Sequence, residues 1–106
     1  MIEELAGYQR RALRAQAHSL QPLCQLGKEG VSESLCRSVD EALAAHELIK
    51  VRFVDHKESR KALAAELAEK VGAALAGVVG HVAILYRPHA DVAKRRIQVP
   101  QREGDV

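Results

Sequence analysis

The stretch Leu26–Ser34, LGKEGVSES, decides how this chain folds, because it joins an apolar run to a serine suited to open a helix. Before it, Pro22–Leu26 (PLCQL) reads as a short strand: Pro suits a first strand position, and Gly27 bounds the run. After it, Ser32 reads as an N-cap, with Val31 placed to pack on Cys36 as a hydrophobic staple. Gly27 and Gly30 therefore sit in a strand-to-helix link, and the elements on either side should build a sheet with helices against it.

Working outward, Leu35, Val39, Ala42 and Leu43 keep helical spacing until about His46. The pattern then changes to period two in ELIKVRFV, with Ile49, Val51 and Phe53 on one side and Lys50 and Arg52 on the other. Upstream, Glu4 to His18 reads as a helix with Leu5, Ala6, Ala12, Leu13 and Ala17 on its apolar side. Arg10, Arg11, Arg14 and His18 fall within an arc of about 100° on the other side. Downstream, Asp55 with Glu58 resembles a capping box that opens a third helix, in which Leu63, Leu67 and Val71 make the stripe and Gly72 the stop. Leu75–Val79 and Val82–Arg87 are strands joined by the tight turn Gly80-His81, and Pro88 ends the second.

The predicted order is helix, strand, helix, strand, helix, strand, strand, an α/β fold with a mixed sheet covered by helices. Residues 1–88 form the expected domain core. Residues 89–106 are a basic extension with the run Lys94-Arg95-Arg96, a short edge strand at Ile97-Gln98-Val99 and a loose tail from Gln101.

Length and composition narrow the function. A chain of 106 residues with 47% apolar content fills one compact core. Its formal charge of +2 is too mild to identify a polyanion partner, so the placement of the charges matters more than their sum. The opening MIEELAGYQRR lacks a secretory signal pattern, and AGVVGHVAILY is too short and too interrupted to span a bilayer. Cys24 and Cys36 form no CxxC pair and read as two buried thiols in a reducing, cytoplasmic setting. His18, His46, His56, His81 and His89 are scattered, without metal-ligand spacing, and His46 beside Glu47 reads as a partner for a helix dipole. With no nucleophile–base pair and no carboxylate pair standing out, neither catalysis, a cofactor nor a metal is expected. Among the three aromatic residues, Phe53 and Tyr86 read as core, so stacking of successive bases on an exposed sheet is not expected.

Gly27-Lys28-Glu29-Gly30 is the remaining candidate. Glycine lets a phosphate approach the backbone and permits the positive φ that turns successive amides toward one point. The helix from Ser32 adds unpaired amides and the positive end of its dipole, and Lys28 adds a full charge. KH modules clamp an RNA backbone with such a G-x-x-G loop. Two glycines before a helix are more often a plain turn, and Glu29 and Glu33 repel an anion, although Glu33 also suits the dipole.

Several motifs in order add context: Ala17-His18-x-Leu20-x-Pro22, Gly27-x-x-Gly30, Glu47-Leu48-Ile49-Lys50-Val51, Gly80, and Leu85-Tyr86-Arg87-Pro88. Together they resemble the bacterial YhbY-type proteins, single CRM (chloroplast RNA splicing and ribosome maturation) domains, from about Leu5 to Val99. The resemblance implies a four-stranded mixed sheet similar to the C-terminal domain of translation initiation factor three. It also implies binding to RNA, with ribosomal RNA of the large-subunit precursor as partner and ribosome assembly as the process. The G-x-x-G contact carries over to Gly27, Lys28, Glu29 and Gly30; the Arg10, Arg11, Arg14 and His18 face and Lys94, Arg95 and Arg96 are the basic groups expected to join it. The competing reading is a protein-binding adaptor whose basic groups serve only solubility.

Overall fold

The computed structural model describes residues 5–101. The expected start of the first helix at Glu4 and the tail beyond Gln101 lie outside them. The elements are α1 (Gly7–Ala17), β1 (Cys24–Leu26), α2 (Glu33–His46), β2 (Leu48–Phe53), a 3-10 turn (Lys57–Ser59), α3 (Arg60–Val71), β3 (Ala74–Val79), β4 (Val82–Tyr86) and a second 3-10 turn (Val92–Lys94). The strands form one four-stranded mixed sheet in the order β1-β2-β4-β3, with β1 parallel to β2 and the other pairs antiparallel.

Alternation along β2 separates two apolar layers. Ile49, Val51 and Phe53 enter the larger core with Leu35, Val39 and Leu43 of α2 and Ala64, Leu67 and Ala68 of α3. Leu48 faces the other way and joins Leu13, Ala17, Ala76, Ile84 and Tyr86 beneath α1. The sheet is thus covered by α2 and α3 on one face and by α1 on part of the other. Phe53 and Tyr86 are both core residues, at 1% and 6% exposure.

Local signals worked where a single residue decides the geometry. Ser32 Oγ accepts the Leu35 amide at 3.1 Å, and Gly72 ends α3 at φ +65°. Gly80, at φ +59°, turns the hairpin so that Val79 pairs with Val82.

Two expectations fail and a third holds in part, each for an identifiable reason. Asp55 does not cap α3: its carboxylate accepts the adjacent His56 amide at 2.7 Å, and a 3-10 turn intervenes before Arg60. The expected stripe of α3 holds at Leu67 and Val71, but it extends to Ala64 and Ala68 and leaves Leu63 only half-buried, because the small residues allow the helix close to the sheet. Ile97-Gln98-Val99 forms no strand, although its alternation is real. Ile97 and Val99 pack on the α1 side of the core, and the outward carbonyls of Gln98 and Pro100 accept side-chain amides of Gln16 and Gln9 on α1.

Arg87, just past β4, fastens three elements together. It donates to the Asp40 carboxylate at 2.7 Å, to the Asp40 carbonyl at 3.0 Å and to the Val71 carbonyl at 2.8 Å. A guanidinium supplies this fan of donors where the last carbonyls of α3 have no helical partner.

Candidate nucleic-acid interface

Gly27-Lys28-Glu29-Gly30 is an exposed turn. The Gly30 amide closes it on the Gly27 carbonyl at 3.0 Å, and Gly30 holds φ +67°. The Ser32 amide then donates to the Gly30 carbonyl at 3.0 Å, which leads directly into α2. Lys28 and Glu29 stand at the exposed tip. Every helix begins with amides that lack a helical acceptor. Ser32 Oγ takes that of Leu35, which leaves those of Glu33 and Ser34 near the positive end of the α2 dipole.

The turn is braced from behind by the segment that follows β2. The Val54 amide donates to the Leu26 carbonyl at 3.0 Å. His56, itself left-handed at φ +54°, brings Nε2 to 2.7 Å from the Lys28 carbonyl, so its ring N–H donates to the tip of the turn. Sequence reasoning set His56 aside as a scattered histidine. Its partner lies 28 positions away, and no local pattern signals the contact.

Beside the turn lies an open groove of about 530 Å³, bounded by Leu23, Cys24 and Gln25 at β1 and by Ser34, Leu35 and Ser38 on α2. β1 has a strand neighbour on one side only, so its outer edge borders this groove.

The basic groups singled out from sequence do not all meet there. Arg14 reaches across the sheet to donate to the Ala76 carbonyl at 2.9 Å, over β3, the edge opposite β1. Gly77 makes room for it, since a Cβ at that position would stand 2.7 Å from Arg14 Cδ. Arg10 and Arg14, with Lys61 from α3, border a recess of about 400 Å³ at β3. Arg10 also donates to the Leu5 carbonyl, and Arg11 is exposed. Three strand spacings, about 14 Å, separate the β3 edge from β1. His18 lies between the two edges, sharing a smaller recess with Arg14 and Lys50. Lys50 Nζ donates to the carbonyls of His18 and Leu20 at 3.2 and 3.0 Å and thereby caps the negative end of α1. Arg52, paired in register with Gln25, is exposed on the same sheet face. Backbone carbonyls hold Arg10, Arg14 and Lys50 without neutralising them, so these side chains keep their charge.

Lys94, Arg95 and Arg96 stand at the far end of α2, around a recess of about 520 Å³ that His46, Glu47 and His89 also line. A helix of 14 residues puts them about 21 Å from the glycine turn. The segment that carries them is anchored by Glu47, which the sequence reading had noted beside His46 and in the run Glu47–Val51 without a contact. Glu47 is 3% exposed and left-handed at φ +64°. Its carboxylate accepts the amides of His89 at 2.7 Å, Arg96 at 2.6 Å and Ile97 at 3.1 Å. Burial pushes its pKa up, but the three amides and the nearby His89 outweigh burial and leave it below the ordinary carboxylate value.

Among the described residues no group of three or more His, Cys, Asp or Glu is placed to hold a metal ion, and no helix is long and apolar enough to cross a membrane. Cys24 and Cys36 are free thiols, the first buried and the second half-buried; burial raises the Cys24 pKa.

Comparison with known proteins places this architecture. A Bacillus subtilis protein named "Probable RNA-binding protein YqeI" is 34% identical over 97 residues, 91% of this chain and 99% of that one. A Haemophilus influenzae protein named "RNA-binding protein" is 31% identical over 99 residues, 92% of this chain and 97% of that one. The solution structure of the hypothetical protein SAV1595 from Staphylococcus aureus superposes with a TM-score of 0.79 at 34% identity, over 91% of this chain and 99% of that one. The CRS1/YhbY (CRM) domain matches residues 5–87, and the chain belongs to that family.

Proposed function

We propose that this chain is a non-catalytic RNA-binding protein that acts in the cytoplasm in ribosome assembly, with ribosomal RNA of the large-subunit precursor as its partner. The observation that carries the reading is the exposed glycine turn at the head of α2, with Lys28 at its tip and helix amides behind it. Such a site suits a phosphate, because the Glu33 and Ser34 amides lie ahead of the helical ladder and glycine presents no side chain to the approach. The RNA-binding names of its relatives support the same reading, and the ribosomal partner rests on the family resemblance.

The basic groups act at separate points. Lys28 serves the turn; Arg52 and His18 serve the middle of the sheet face; Arg10, Arg11 and Arg14 serve the β3 side; Lys94, Arg95 and Arg96 serve the other end of α2. An extended or folded polyanion reaches several of these points at once, whereas a mononucleotide reaches one.

Crosslinking the protein to RNA in cells and sequencing the attached fragments tests partner and contact together. Enrichment of large-subunit precursor RNA, reduced in Lys28→Glu and Gly30→Asp variants that remain folded, is the expected result. Recovery of protein partners without RNA returns the chain to the adaptor reading.

A further inference from the structure

We propose that the outer edge of β3 docks an extended peptide of a partner protein, one in which acidic and apolar residues alternate, and that the peptide adds a strand to the sheet between Arg10 and Arg14 on one side and Lys61 on the other. β3 has a strand neighbour on one side only. The Phe53 amide donates to the His81 carbonyl at 2.7 Å and the Arg87 amide to the Glu47 carbonyl at 2.8 Å, so the odd-numbered residues of β4 direct their backbone groups to β2 and the even-numbered ones theirs to β3. Val78 lies opposite Ala83, and its amide and carbonyl therefore point outward, away from β4. Unpaired edge groups of this kind are what a docking strand uses.

The two faces of this edge differ. Leu75 and Val78 lean on the larger core and remain half-buried, next to Lys61 at the start of α3. On the α1 face the edge is small, with Ala76 and then Gly77, against which Arg14 lies. Arg10 and Arg14 border the same recess of about 400 Å³ from that side. Side chains of a strand alternate between faces, so a peptide of alternating character presents its carboxylates to the arginines and its apolar residues to Leu75 and Val78.

Charge selects the occupant. Among the described residues no carboxylate pairs with Arg10, Arg14 or Lys61, and the two arginines donate to backbone carbonyls. A second copy of this chain, laid edge to edge, would bring the same cations against one another. RNA phosphates accept hydrogen bonds but donate none, so they leave the Val78 carbonyl and the apolar face unused. The bulge between Leu75 and Gly77 interrupts the ladder, so the charge pairs carry much of the affinity. The docked strand takes Arg10 and Arg14 from the RNA and leaves the glycine turn, about 14 Å away across the sheet, free to hold it.

Fluorescence anisotropy of the full chain with a labelled peptide of about ten alternating glutamate and valine residues tests the proposal, with alternating lysine and valine as the control. The acidic peptide is expected to bind and the basic one not to. Lys61→Glu, at an exposed position in the first turn of α3 where a carboxylate suits the helix dipole, should fold and weaken binding about tenfold, as should Arg10→Glu. Amide hydrogen exchange is the second readout: Val78 should exchange more slowly once the acidic peptide is present. No binding, equal binding of the two peptides, unchanged affinity in both variants, or unprotected Val78 overturns the proposal. Protection of Val78 by a short RNA alone gives the edge to RNA, and protection that rises with protein concentration alone gives it to a second copy; either result overturns the proposal too.

Discussion

Glu47 ties the segment beyond β4 to the end of α2 through three hydrogen bonds. A buried carboxylate is costly unless its oxygens are satisfied, and this one gathers amides from a segment more than forty positions away. Glu47→Ala should lower unfolding free energy by about 2 kcal/mol, because three part-buried amides lose a charged acceptor. Chemical denaturation measures the loss, and trypsin should cut more rapidly at Lys94–Arg96. The pH dependence follows in sign. The folded pKa lies below the unfolded one, so the Glu47 contribution is full above about pH 4.5 and is lost as pH falls through the folded value. Glu47→Gln should flatten that part of the acid stability profile. His56 presents a second test at this scale. Its ring donates to the Lys28 carbonyl, so His56→Leu should loosen the turn and weaken RNA binding several-fold, whereas His56→Gln, which keeps an N–H donor, should retain most affinity. Neither residue was legible in advance as a contact, since both act through partners far along the chain.

Elements were legible where one residue type dictates backbone geometry. The strand–turn–helix link at Leu26–Ser34, the period-two strand through Ile49, Val51 and Phe53, and the Gly80 hairpin all follow from such residues. The Asp55 cap failed because a local partner, the adjacent His56 amide, takes its carboxylate, and the Ile97–Val99 strand failed because a tertiary one, the side chains of α1, takes its carbonyls. For the candidate site, the turn could be read and its surroundings could not, because a helical wheel shows which side Arg14 takes and not which strand lies beneath it. The turn itself permits a clean test. A Cβ at Gly30 would meet nothing within 4 Å, so the cost of substitution comes from φ +67° alone. Gly30→Val should destabilise by about 1–2 kcal/mol, and Gly30→Asn by much less, because Asn visits the left-handed region readily. Thermal melts of the two variants measure the difference.

At the scale of the whole molecule, positive charge is spread over the sheet face and both ends of α2 and is not gathered at one spot. With a formal charge of only +2, such spacing engages a long polyanion through several phosphates while giving little attraction to small anions. The most direct measurement is the affinity for RNA as salt is raised. If about four phosphates are neutralised, log affinity falls against log salt with a slope of roughly −3, and Lys28→Glu makes it shallower by about one phosphate's share. An affinity that does not change with salt contradicts the account, since the turn and the basic groups would then take no part in holding RNA.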